Sequence, residues 1–241
     1  MGKTLYELDP KGDILLSVYN VPYDLSQDWR DLNGDLLAGF SEPSKTSNPV
    51  NGPADGETTE ENGDLETSDQ SILQIRASSK HLTLSCPQFE RTLQQGFREG
   101  NELQSTGCLE LPIEEWEAMS FLILMMIIHG RTRAVPRKLS LKRLSEMAVL
   151  VDYYECYEAV ELFSDMWVPM EQRHIPNIID AERWLFISWV FQRSAIFRES
   201  SHYLQRHGKD KLLTKELPIP GHVRGEFIIY SRSIYRSCPV H

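Results

Sequence analysis

The chain reads as an α+β protein, and three observations predict that class. Short apolar runs of strand length, at 14–19, 72–77 and 108–111, alternate with longer segments of helical period. One segment, 119–128, is apolar on every side, as the central helix of a core is. At 41% hydrophobic over 241 residues, the chain can bury that core without help from disulfides.

The elements follow in order. Asp9-Pro10-Lys11-Gly12 signals a turn, and 14–19 after it is a strand. Residues 20–40 mix Trp29, Leu32, Leu36, Leu37 and Phe40 with an Asn33-Gly34 break. Residues 41–70 are rich in Ser, Pro, Asn, Gly, Thr and Glu and hold only Val50 and Leu65 as large apolar residues. Such a segment cannot offset its ordering entropy by burial, which predicts an acidic disordered insertion. Order resumes with a strand from Ile72, and a short helix is expected over 78–84. Ser85 or Cys86 caps the next helix, with Pro87 in its first turn where no N–H is needed. Phe89, Leu93 and Phe97 then lie at i, i+4 and i+8, and Gly100 is expected to end that helix.

A strand at 108–111 leads to the apolar helix, predicted to begin with Glu114 and Glu115 in its first turn and to stop near Gly130. Ser140 caps a helix carrying Leu141, Leu144, Met147, Ala148 and Val151 at helical spacing. Another places Cys156, Ala159, Val160, Phe163 and Met166 or Trp167 inward. Pro169 and Pro176 mark a boundary. Beyond it the reading gives an aromatic helix over 181–197 capped by Asp180, a shorter one over 200–206, a turn at 208–211 and a last helix from His222. The predicted division is therefore 9–168 as the main domain and 169–241 as a helical C-terminal extension.

Charge and composition narrow the function. The net charge is −10, and residues 41–70 alone carry −7 of it through eight acids and one base. General nucleic-acid binding is disfavoured. Cys86, Cys108, Cys156 and Cys238 form no C-x-x-C pair and join no His cluster, so a zinc site is not expected. The N-terminus has no apolar signal region, and Tyr6 stands where a myristoylation pattern wants Ser or Thr. The apolar runs 121–128 and 184–191 are far shorter than the ~20 residues of a membrane span. An intracellular protein with reduced thiols, cytoplasmic or nuclear, is expected, with no membrane and no cofactor.

Three stretches carry a family likeness. "SSKHLTLSCPQFERTL" at 78–93, "LELPIEEWEAMSFLILMMIIHGR" at 109–131 and "LKRLSEMAVLVDYYECYEAVELF" at 141–163 come in a distinctive order. Together with "WLFISWVF" from Trp184, they resemble the BTB/POZ domain, most closely BTB proteins of fungi with no assigned function. The resemblance covers about two-thirds of the chain. It implies a small sheet flanked by a cluster of helices. It departs at Ser78, where the family has a His, at Cys86, where Ser is usual, and in the acidic insertion, which is either a regulatory loop or a retained intron.

The resemblance also implies a use, as a protein-interaction module that self-associates or recruits a cullin-type ubiquitin ligase. The family's hydrophobic-x-Glu triplet falls on Phe97-Arg98-Glu99. One reading makes Phe97 an apolar anchor with an acid beside it. The other makes Phe97 the end of the apolar face begun by Phe89 and Leu93, and a three-residue match is weak against it. A homodimer is a second implied partner, through the first helices. The aromatic segment 181–197 is read either as a peptide groove or, more simply, as core. The run 131–143 holds six bases (Arg131, Arg133, Arg137, Lys138, Lys142, Arg143) and no acid. It is either an import or phosphate-contact patch or a solvated loop, and the solvated loop is the commoner case. Asp152 and Glu155 sit at a helix–helix turn, where such residues serve as caps. No G-x-S-x-G, H-E-x-x-H or phosphate loop is present, so catalysis is not expected. The alternative to an adaptor is a homo-oligomerising nuclear cofactor without a DNA-binding domain of its own.

Overall fold

A computed structural model describes residues 3–21, 40–41, 71–171, 175, 177–207 and 217–219. The disordered insertion expected at 41–70 lies outside them apart from Ser41, as do the turn at 208–211 and the helix expected from His222.

Five strands form one mixed sheet: β1 (Lys3–Glu7), β2 (Ile14–Val21), β3 (Phe40–Ser41), β4 (Ser71–Ala77) and β5 (Leu109–Ile113). Their spatial order is β3-β1-β4-β2-β5. β4 runs antiparallel to β2 and parallel to β1, and β5 runs parallel to β2. The sheet thus begins at Lys3, upstream of the expected first strand. Only Tyr6 of β1 is well buried, so its five residues carry little apolar signal. What defines β1 is backbone pairing on both sides, to β3 and to β4. Between β1 and β2, Asp9 accepts from the Lys11 and Gly12 N–H groups. Gly12 is required there because a Cβ would collide with the Ala77 carbonyl.

The helices are α1 (Ser79–Ser85), α2 (Pro87–Thr92), α3 (Arg98–Thr106), α4 (Ala118–Ile128), α5 (Leu141–Tyr154), α6 (Tyr157–Glu171), α7 (Ile178–Val190) and α8 (Ser194–His207). Every residue of α4 is buried; all but Ser120 are apolar, and the Ser120 hydroxyl donates to the Glu146 carboxylate at 2.8 Å. The first turn of α4 holds no acid. Glu114 and Glu115 precede it, and the Glu117 carboxylate caps it by accepting from the Ser120 N–H at 2.7 Å. Ser140 caps α5 as expected, accepting from the Arg143 N–H at 3.3 Å.

Other boundaries move. α6 runs through Pro169 to Glu171, so the proline falls inside the helix, two residues before its end, and does not stop it. Asn177 rather than Asp180 caps the aromatic helix, accepting from the Asp180 N–H at 2.8 Å. That helix is two helices. The chain breaks at 191–193, where Gln192 adopts φ 55°, and α8 starts at Ser194 instead of Ser200. Trp184, Leu185, Phe186, Ile187 and Val190 are buried, and α7 packs on α5. The segment is core, not groove. A single buried cluster joins Tyr6 and Leu16 to Phe121, Trp167, Trp184, Leu204 and Ile219, on both sides of the Pro169 boundary. No helix among the described residues is long and apolar enough to cross a membrane.

Candidate protein-interaction site

The triplet Phe97-Arg98-Glu99 sits at the start of α3, and its placement begins at Pro87. Pro87 opens α2 behind Cys86, and Phe89 is buried from that helix. α2 lasts six residues. Its carbonyls are closed by the Leu93 N–H, and the chain turns through Gly96 at φ 102°. A left-handed residue there ends the run of helical spacing. Phe97 is therefore not one turn beyond Leu93 on a shared face. It is the N-cap residue of the next helix, in extended conformation, and 56% exposed. Its N–H donates to the Gln94 carbonyl at 3.4 Å and its carbonyl accepts from the Asn101 N–H at 3.1 Å. The Asn101 side chain returns to the Gly96 N–H at 3.2 Å, locking the turn.

Gly100 is inside α3, not at the end of a helix. A Cβ on it would collide with the backbone of Leu93 and Gln94, so this glycine lets α3 lie directly on the end of α2. The result is a rigid corner with a phenyl ring at its tip. Glu99 stands in the first turn of α3, favourable at the positive end of the dipole. Arg98 reaches its carboxylate at 3.3 Å across an open surface, a contact worth little by itself.

The corner is tied to the body of the protein through α2. Phe89 stacks on Tyr154 with centroids 4.8 Å apart. Arg91 makes a two-pronged contact with Glu155 at 2.7 and 3.1 Å. Arg91 holds the Glu155 carboxyl below its ordinary range. Glu155 caps α5 at φ 56°, so the charge doubles as a clamp between α2 and the α5–α6 turn. The neighbouring dipeptide divides its labour. Tyr154 is buried, accepts from the Trp116 indole at 3.1 Å and has its hydroxyl pKa raised by burial. Tyr153 is exposed and meets the Trp116 ring edge-on at 5.0 Å.

No protein-family model matches this chain, and no curated protein matches its sequence.

The residues of the α5–α6 turn are held by local contacts. Asp152 accepts from the Tyr157 hydroxyl at 2.8 Å, and Cys156 is buried beneath the turn. At Ser78, where an imidazole was missing from the pattern, one arrives from elsewhere: His129, just past α4, accepts from the Ser78 N–H. Among the described residues no group of three His, Cys, Asp or Glu could hold a metal. A recess of ≈520 Å³ lies between the end of α6 and the α7–α8 turn, but the charges facing it, Asp165 and Arg193, pair with each other.

The two most exposed large apolar side chains among the described residues are ones the sequence reading does not single out. Leu84 on α1 is 87% exposed and Leu162 on α6 is 81% exposed. Helical phase was the available signal. Leu82 is buried on α1, and Val160, Ser164, Trp167 and Val168 are buried on α6, which turns Leu84 and Leu162 outward.

Proposed function

We propose that this chain is a BTB/POZ-like module without catalytic activity, acting as an adaptor that binds other proteins, among them a cullin-type ubiquitin ligase. The observation that supports it is the corner at Phe97: an aromatic ring 56% exposed at a rigid helix start, with Arg98 and Glu99 beside it. An exposed, preorganised aromatic is an interface anchor because it buries large area at small entropic cost. The α+β architecture and the order of elements from β4 to α6 agree with the resemblance of the three sequence stretches. Co-purification from the native cell followed by mass spectrometry tests the reading. Recovery of a cullin together with a further protein supports it. Turnover of a metabolite, abolished by one histidine substitution, would sink it.

A second reading, a homodimer, is favoured by Leu84, since α1 presents this side chain almost fully to solvent on a helix that the family uses for self-association. Light scattering on the wild type and on Leu84→Glu separates the two. A dimer that the substitution dissociates favours the second reading.

A further inference from the structure

We propose that Cys86 and Cys156 form a redox-sensitive lock: hydrogen peroxide joins the two sulfurs in a disulfide that fastens the start of α2 to the α5–α6 turn. The two residues are distant in sequence and meet in the fold. Cys86 stands at the N-cap of α2, and Cys156 follows the left-handed Glu155 that ends α5. Their thiols are in hydrogen-bonding contact with each other. Both are free cysteines, 0% and 1% exposed.

The meeting point is held from both chains. Phe89, three residues after Cys86, stacks on Tyr154, two residues before Cys156, with centroids 4.8 Å apart. Arg91 grips Glu155, the immediate neighbour of Cys156, at 2.7 and 3.1 Å. Each backbone is fixed as well. The Cys86 N–H donates to the Leu82 carbonyl at 3.0 Å, and the Cys156 N–H to the Val151 carbonyl at 3.2 Å. An N-cap side chain ordinarily accepts from its own helix. Cys86 makes no such bond, and its sulfur meets Cys156 instead.

Contact with Cys156, and then burial, raises the Cys86 pKa, so the resting thiol stays protonated and reacts slowly at neutral pH. Oxidation starts when one of the two thiols gives its proton to water. That sulfur attacks the peroxide, the O–O bond breaks, the departing hydroxide takes up a proton, and a sulfenic acid remains. The second sulfur displaces the sulfenic hydroxyl, which leaves as water with the second thiol's proton. The two sulfurs lose two electrons, and the peroxide is reduced to two waters. Because the second thiol is already in contact, closure of the disulfide outruns further oxidation to the sulfinic acid. The cross-link closes a loop of about 70 residues, which restricts the unfolded chain strongly. α2 leads directly into the Phe97 corner, so the lock fixes the base of that corner whatever binds there.

The test treats the full-length variant Cys108→Ser/Cys238→Ser, which keeps only this pair, with hydrogen peroxide. Intact mass and non-reducing peptide mapping are then read beside a thermal melt. The treated chain is expected to be lighter by two hydrogens, to yield one cross-linked peptide joining Cys86 to Cys156, and to melt at least about 5 °C higher. Dithiothreitol should reverse all three changes. Wild type mapped in the same way should show the same linkage, and adding Cys156→Ser should abolish both the linkage and the shift. Sulfinic acid at either cysteine in place of the cross-link, disulfides between molecules only, or a cross-link that leaves the melting temperature unchanged would each overturn the proposal.

Discussion

The backbone N–H of Ser78 donates to Nε2 of His129 at 3.0 Å, while Nδ1 of the same ring lies 2.8 Å from the Met125 carbonyl. Nδ1 must carry the proton, since a carbonyl only accepts, and Nε2 must be bare to receive the Ser78 N–H. The neutral imidazole thereby joins the end of α4 to the entry of α1. The same entry is held from below by Asp13, which accepts from the Ser79 N–H at 2.7 Å and from its hydroxyl at 2.6 Å.

Acid should loosen this joint. Burial is the main reason the His129 pKa lies below 6.5, with His81 and Arg131 lowering it further and Asp9 and the Met125 carbonyl opposing them. The unfolded chain therefore takes up the proton first as pH falls through about 6.5. Stability is full above that pH and declines on acidification until the folded pKa is reached, by at most about 1.4 kcal/mol per pH unit. Glu146, whose pKa is raised chiefly by burial, acts in the opposite sense at lower pH. Denaturant melts of wild type and His129→Gln between pH 7.5 and 5.5 isolate the histidine. The variant should lack the wild type's added decline.

The phase of α1 predicts a contrast between two leucines two residues apart. Leu82 is fully buried and Leu84 is almost fully exposed. Leu82→Ala should cost about 2–5 kcal/mol and Leu84→Ala less than about 0.5 kcal/mol. Urea denaturation of the two variants measures both.

Gly100 has its own test. Because a Cβ would strike the Leu93–Gln94 backbone, Gly100→Ala must push α3 off α2. A loss of about 1–3 kcal/mol is expected, typical of overpacking, although alanine is the better helix former. Gly107→Ala is the control, since a Cβ there meets nothing and only its φ of 75° is strained.

Particular residues show which parts of this fold were legible. The apolar run of α4, interrupted only by Ser120, and the Ser140 cap of α5 announce themselves, because burial on every face and an oxygen at the cap leave local marks. Pro87 does the same for α2. Phe97 was harder. Its i+8 spacing from Phe89 means something only if the helix continues, and Gly96 in the left-handed region ends that continuity. Gly100 looks like a helix stop in the sequence, because close backbone approach leaves no pattern there. The break between α7 and α8 falls on Gln192, which has neither glycine nor proline to signal its φ of 55°. The triplet of the candidate site was legible as residue types, and its exposure was not.

The central claim, that Phe97 and Glu99 are displayed for a partner and not spent on the core, is tested most directly by Phe97→Ala/Glu99→Ala. Calorimetric titration against a cullin N-terminal domain and a thermal melt should be run on the same preparations. Cullin binding is expected to be at least about tenfold weaker in the variant, the loss expected of an interface anchor, with a melting temperature close to wild type. A wild type that does not bind, a variant that binds equally well, or a variant that unfolds would contradict it.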